Sequence, residues 1–526
     1  MEEEGSPAKS AKEEGLMEEH STIKQPCGNG TTPPKNEFSK ALLHYKFARI
    51  CLKADKYEMA VRQFDQALQK LPFYADAHFY RGTALVSLRR YAEALESLEK
   101  AVEIRGTHAP ALVNLAVVHQ IQGSNDKAVE ACQRALSVDP QCTEAVMNLS
   151  NILRNSGRRA EAIHMLWEKI IDDEKEMLNA GNGEKEEETG DETFRESSRT
   201  QSLSFPLDVS AMSPLSEENL GRNLHVVCVK WGSLYSAAHV NALFQGVGRC
   251  LGAFEEGEWR FICFTDEGGE EGLDPSIETR RLPEHLKTWW GKAYLFAKEA
   301  GLVGLPVVYL DLDIVVCGDL SPLADLARDR SRPEFALLST NDIKSELAQD
   351  GFNSTVMVWR GRPELCAIFD RLTKSVLRFV HRFDHWLEMI VRNALLVDAA
   401  FPRLVVDFCQ HFGVPVGLNW SAGGDRPSKV VEKEEDNSLM LKCETFRNEE
   451  GAMPSVSGTL GTKTGSGGNS QKGNDSSEDL MQGVAVVSFC RRPKADEFAG
   501  FLRTDEAAKQ FPSRFECFDW LLSVWG

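Results

Sequence analysis

Small residues recur along the first third of the chain with a fixed step. Ala48, Gly82, Ala116 and Ser150 are evenly spaced, and Ala60, Ala94, Ala128 and Ala162 keep the same interval. A third series, Ala67, Ala101 and Ala135, follows it too. Phe64 and Leu98 share another repeated position, and Pro72, Gly106 and Pro140 close successive units. This pattern predicts pairs of helices over residues 38–172, in which small side chains let the first helix of each unit approach the second. Pro or Gly then turns the chain into the next unit.

Further along the period changes. From Asn223, NLHVVCVKW reads as a strand, HVNALFQGVGRCLGAF as a helix, WRFICFTDE as a second strand, WWGKAYLFAKEAGL as a helix and VVYLDLDIVV as a third strand. Alternation of this kind predicts a mostly parallel sheet with helices on both faces. Polar residues that follow the strands then gather on one edge, where open α/β sheets bind their ligands. They are Lys230 to Tyr235, Thr265 with Asp266, and Asp311 with Asp313.

Asp311 and Asp313 lie between Val307–Leu310 and Ile314–Val316, which read as a buried parallel strand and its continuation. Alternation along a strand points both carboxylates to one face. Two like charges in an apolar setting require a cation, a shared proton or full exposure at a strand end. A divalent cation with oxygen ligands fits the pair at a strand's carboxyl end, and exposure is the alternative.

Composition divides the chain further. Its 526 residues are too many for one core. Residues 1–37 are rich in Glu, Lys, Ser, Gly and Pro and are expected to be disordered. Residues 173–218, acidic and then Ser/Pro-rich, read as a linker, and residues 219–526 as the α/β domain with a disordered insertion at about 430–482. A net charge of −19 and a pI near 5.2 argue against nucleic-acid binding. The start MEEEGSPAKSAKEEG lacks the pattern of a secretory signal, and no apolar run approaches the ~20 residues of a membrane span. A cytoplasmic or nuclear protein is expected. The 13 cysteines include no CxxC pair and read as reduced core residues.

The rhythm of the first third resembles the tetratricopeptide repeat, an all-α solenoid whose groove binds peptides. Asn114 and Asn148 share one repeat position, where their amides would hold the backbone of a bound peptide; the alternative is a common repeat residue with no ligand. The segments VCVKWGSLYSAAHVNAL, RFICFTD, WWGKAYLF, VVYLDLDIVVCGDL and GFNSTVMVW together resemble a GT-A-fold glycosyltransferase. They are similar to the glycogenin and galactosyltransferase-like group (family 8) and its bacterial and algal relatives with a KWG element. The likeness covers about residues 223–425 and resumes near 484.

That resemblance implies a Rossmann-like mixed sheet, a nucleotide-sugar donor, and Mn²⁺ or Mg²⁺ held by Asp311 and Asp313. It implies that Lys230 and Lys292 add positive charge near the phosphates, that Trp231 or Tyr235 stacks on the base, and that Thr265 and Asp266 belong to the donor site. Lysine in solvent and aromatic in the core are the alternative readings. Asn353, with Ser354 beside it, falls where relatives position sugar or acceptor, and Asp384 where they carry a Gly-Asp-Gln element.

Relatives end with Phe-His-Gly, the His being a metal ligand. Here VAVVSFCRRPKADEF puts Cys490 in the His slot and Arg491 in the Gly slot. A thiolate suits Zn²⁺ better than Mn²⁺ or Mg²⁺, so Arg491, Arg492 and Lys494 become candidates to grip the diphosphate directly. Two rival readings remain at this point. One is a repeat adaptor whose transferase-like domain is impaired; the other is a haloacid-dehalogenase-like phosphatase with Asp311 as nucleophile.

Overall fold

The computed structural model describes residues 35–181, 206–212, 223–251, 258–266, 268–286, 288–329, 335–341, 350–408, 411, 418–419, 428–429 and 483–489. The expected insertion at 430–482 and nearly all of the expected N-terminal tail lie outside these residues. The chain divides into two compact units, with a boundary between Ala162 and Ile163.

The first unit is helical. Its elements are α1 (Lys35–Lys53), α2 (Tyr57–Lys70), α3 (Ala75–Ser87), α4 (Tyr91–Ile104), α5 (Ala109–Ile121), α6 (Asn125–Val138), α7 (Thr143–Asn155) and the start of α8 (Arg159–Gly181). The expected small-residue series lines the helix contacts. Ala48, Ala116, Ala60, Ala94, Ala128, Ala162, Ala67, Ala101 and Ala135 are all fully buried. At Gly82 a Cβ would stand 2.7 Å from Leu98 Cγ, so only glycine lets α3 come this close to α4.

The turn inside each hairpin has its own periodic device. Asp55, Arg89, Gly123 and Gly157, again one repeat apart, all adopt the left-handed backbone that stops the first helix.

The second unit is α/β. The strands of its two larger sheets are β1 (Leu224–Lys230), β2 (Trp259–Thr265), β3 (Glu278–Arg281), β4 (Pro306–Leu310), β5 (Ile314–Val316), β6 (Phe335–Ser339), β7 (Phe352–Arg360), β8 (Leu395–Leu396), β9 (Val405–Asp407) and β10 (Val486–Ser488). Seven form one mixed sheet in the order β3-β2-β1-β4-β7-β6-β8. β1 to β4 run parallel to one another, β7 runs antiparallel to β4 and β6, and β8 is parallel to β6. Every residue of β1 is buried, as expected of a central strand covered on both faces.

One covering element is α9 (Ala237–Cys250), whose Val240, Leu243 and Val247 pack with Val226, Phe261 and Val308. Further on come α10 (Ser321–Arg328), α11 (Lys374–Phe379) and α12 (Phe383–Ile390). The expected helix at WWGKAYLFAKEAGL is two 3-10 segments, Thr288–Phe296 and Lys298–Ala300.

The expected linker is structured at both ends. α8 runs on to Gly181, and within the second unit its Asp173 accepts hydrogen bonds from Ser375 Oγ (2.7 Å) and Arg378 Nη1 (2.9 Å). Leu207–Asp208 pairs with Val391–Arg392, burying Val209 beside it. The acidic composition of this stretch concealed the contacts: Asp173 is neutralised by a partner far along the chain, and the short apolar run of Phe205, Leu207 and Val209 is too brief to register as an element.

Candidate functional site

Sheet topology places the site. From β1 the chain steps to β2 and β3 on one side, whereas β4 lands on the other side of β1. The order reverses between β1 and β4, and the crevice outside the carboxyl ends of these strands is where such sheets bind ligands. Lys230 ends β1, Thr265 ends β2, and Asp311 follows β4. Because β7 is antiparallel to β4, its first residues, Phe352 to Ser354, come to the same edge.

At that edge a charged cluster forms from four separate elements. Lys292 Nζ donates to Asp311 Oδ2 (2.6 Å) and to Ser354 Oγ (3.2 Å). Tyr309 OH donates to Asp311 Oδ1 (2.8 Å), and the Ser354 amide donates to Asp384 Oδ1 (2.9 Å) in the first turn of α12. Only 13% of the Lys292 side chain is exposed. Burial works against its charge, yet Asp311, Asp384 and Asp313 together hold its ammonium above the ordinary lysine range. Burial and then the Asp311 carboxylate push the Tyr309 phenol well up, so it remains a donor.

Asp311 and Asp313 do not share a continuous strand. β4 stops at Leu310, Asp311 to Asp313 form a turn, and β5 joins a different, three-stranded sheet with β10 and β9. The turn is pinned at both ends: the Asp311 amide donates to Thr355 O (3.0 Å), and the Phe489 amide donates to Asp313 O (2.7 Å). Gly246 of α9 and Gly318 sit against this second sheet, where a Cβ at Gly318 would meet Val484 O at 2.3 Å.

The remaining expected residues divide. Asp266 Oδ2 accepts from the Gly232 amide (2.7 Å), tying the turn after β1 to the end of β2, while Gly232 has a positive φ that favours glycine. Trp231 is half-buried, and Lys230 and Thr265 are buried. Tyr235 lies edge-on to His239 and packs against the core, which makes it a structural aromatic as much as a base-stacking one. Asn353 turns its Oδ1 back to the Thr355 amide (2.9 Å). Cys490, Arg491, Arg492 and Lys494 lie outside the described residues.

Asn114 and Asn148 are both fully buried, and Asn114 Nδ2 donates to Thr83 Oγ1 (2.9 Å). They are not presented to a groove, because the repeat position packs one helix on the next. Sequence reasoning missed Tyr309, although it stands on β4 only two residues before Asp311 and donates to its carboxylate. It also missed Glu388, whose Oε1 accepts from the Phe352 amide (3.0 Å) at the start of β7.

Comparison with known proteins bears on the first unit. Two family models described as tetratricopeptide repeat match residues 45–109 and 109–142. Residues 45–142 are tetratricopeptide repeats. The tetratricopeptide array is a protein-interaction scaffold.

Among curated proteins, the chain is 33% identical over 99 residues to mouse (Mus musculus) sperm-associated antigen 1, covering 19% of this chain and 11% of that protein. It is 28% identical over 103 residues to human (Homo sapiens) protein O-mannosyl-transferase TMTC3, covering 19% and 11%. It is 31% identical over 87 residues to wheat (Triticum aestivum) Hsp70-Hsp90 organizing protein, covering 16% and 15%. The chain thus spans a small part of these relatives. The crystal structure of MamA is similar at 20% identity, with a TM-score of 0.25, covering 26% of this chain and 81% of that one. No helix among the described residues is long and apolar enough to cross a membrane.

Proposed function

We propose that the α/β unit is a GT-A-type glycosyltransferase that takes a sugar from a nucleotide-sugar donor, and that the tetratricopeptide array recruits its acceptor. The observation that carries this reading is the convergence of Lys292, Asp311, Ser354 and Asp384 at the point where the strand order reverses.

Mn²⁺ or Mg²⁺ suits this donor chemistry. Among the described residues no group of three His, Cys, Asp or Glu gathers. Such ions are commonly held by one or two carboxylates completed by a substrate's phosphates, and Asp311 with Asp313 would supply that pair. When bound, the ion would act as a Lewis acid on the departing diphosphate.

The chain's own residues do the rest. Lys292 stays protonated, so it stabilises negative charge and moves no proton. Tyr309 and Lys292 orient the Asp311 carboxylate, and the Ser354 amide fixes Asp384 beside them. The amide nitrogen of Asn353 is left to donate to a sugar hydroxyl. Carrying the recruiting and transferring parts on one chain would raise the local concentration of acceptor.

The test is a panel of nucleotide sugars with Mn²⁺, read by thermal shift and donor hydrolysis. One member should stabilise the wild-type chain, and Asp311→Asn/Asp313→Asn should lose at least ~100-fold in hydrolysis while keeping its circular dichroism spectrum. No response to any member would reject the transferase reading. The adaptor reading is favoured by one feature: both Asp311 oxygens are already engaged by Lys292 and Tyr309. A phosphatase would instead trap a fluoride mimic of aspartyl phosphate on Asp311, although that residue follows β4 rather than the first strand of this unit.

A further inference from the structure

The exposed face of α1 breaks the rule that the rest of the tetratricopeptide array obeys. Leu43, Phe47 and Ile50 follow the i, i+4, i+7 spacing of one helical stripe and are 69%, 44% and 62% exposed. Stepping by whole repeats gives the same positions in later units. Ala77, Ala111 and Ala145 are fully buried, as are Ala84, Val118 and Ile152, and Leu115 and Leu149 are at most 5% exposed. In those repeats the second helix of the preceding unit covers the face. Arg81, the equivalent of Phe47, shows the contact directly, donating from Nε to Asp65 of α2 (2.7 Å).

The chain's own sequence does not continue the pattern backwards. One period before α2 the sequence at 23–34 holds Pro26, Gly28, Gly30, Pro33 and Pro34, the residue types least favoured in a helix interior. A solenoid normally ends in a polar outer face, so a stripe of large apolar side chains at its first helix is built to be covered.

The flanks say by what. Lys46 and Lys53 stand exposed along one side of the stripe, and Lys40, paired with Glu37 at 3.1 Å, along the other. Two copies meeting through this face would bring those lysines together, which like-charge repulsion opposes. We infer that the first helix of the array docks an acidic amphipathic helix of a partner polypeptide, seated as the second helix of a missing repeat would be. This surface is separate from the reading of the α/β unit and stands or falls without it.

The array itself supplies the probe. Helix α4 carries Glu93, Glu96, Glu99 and Glu103 against a single Lys100, and it packs on α5, the helix bearing Ala111, Leu115 and Val118. A labelled peptide of residues 91–104, held helical by a staple on its polar side, is titrated with the full chain by fluorescence anisotropy. Binding is expected, weakened at least ~10-fold by Phe47→Ser and by Lys46→Glu/Lys53→Glu, with helical content and melting unchanged.

Several results would overturn the inference. They are no binding, binding that Phe47→Ser leaves intact, or equal binding of a peptide with lysines in place of its glutamates. A concentration-dependent dimer abolished by Phe47→Ser would make a second copy the occupant instead. Co-sedimentation with phosphatidylserine vesicles, lost in the same variant, would make it a membrane surface.

Discussion

The two units bury their chains by different logic. In the tetratricopeptide array each helix packs on its neighbours in sequence, so one interface is written again in every repeat, down to the left-handed residue at Asp55, Arg89, Gly123 and Gly157. In the α/β unit the four side chains of the candidate site come from positions 292, 311, 354 and 384, joined only because the sheet brings their elements to one edge. An array is a sum of nearest-neighbour interfaces and yields locally to damage. A sheet built on distant pairings holds or fails together.

Lys292→Met tests this contrast most severely. It leaves Asp311, Asp384 and Asp313 facing one another without their shared cation, and breaking such a largely buried pair costs about 4 kcal/mol. Urea unfolding should show the α/β transition shifted down by that amount, with the repeat transition in place. A shift of both transitions together would erase the distinction between the units.

His381 gives the same unit a pH dependence of its own, beside that of the array, where burial likewise lowers the pKa values of His78 and His119. Burial, with Arg382 beside it, lowers its pKa from the ordinary 6.5 to about 4, and its ring meets Trp289 edge-on. The unfolded chain therefore takes up this proton first as pH falls. Stability is complete above pH 6.5 and is lost between 6.5 and 4, by about 3 kcal/mol at most. His381→Phe, which cannot charge, should flatten that part of the pH profile of the α/β transition. An unchanged slope would assign it to other groups.

How much of this was legible in the sequence follows from the same contrast. The array was legible almost residue by residue, because close helix approach demands Gly82 and the buried alanines at positions fixed by the repeat itself. Strands β1, β2 and β4 were legible from their apolar runs, and Asp311, Lys292 and Asp384 from motif resemblance. Three things were not. The turn at Asp311–Asp313 depends on β5 leaving for a second sheet with β10, a partner that arrives only near the end of the chain. The role of Asp173 depends on Ser375 and Arg378. The burial of Asn114 depends on Thr83, whose hydroxyl is an ordinary helix residue until the neighbouring repeat arrives. Each is a pairing between segments, and a linear pattern carries no record of it.

Gly82→Ala is the next smaller lesion. Its Cβ would lie 2.7 Å from Leu98 Cγ and 2.8 Å from Leu98 Cδ2, forcing α3 and α4 apart at a cost of about 2 kcal/mol. Leu98→Ala in the same chain should relieve that clash while opening space of its own. The double variant is therefore expected to be less destabilised than the two single losses added together, as contacting residues couple. Thermal melts of the repeat transition measure the cycle, and simple additivity would mean the close approach is not what holds glycine there.

The smallest effect isolates backbone from packing. Gly123 has φ +74 and open space around the position of a Cβ, so Gly123→Ala introduces strain and no clash, worth about 1 kcal/mol. Arg89 and Asp55 occupy the same turn with φ 58 and 55 and already carry that strain. Arg89→Gly should then return a fraction of what Gly123→Ala removes, reduced by the freedom glycine restores to the unfolded chain. If the four turns are equivalent, as their constant spacing requires, the two variants must move the repeat transition in opposite directions. Movement in the same direction would mean that the neighbours of each turn, rather than its shared backbone, decide its stability, and the array would then be less periodic in energy than it is in sequence.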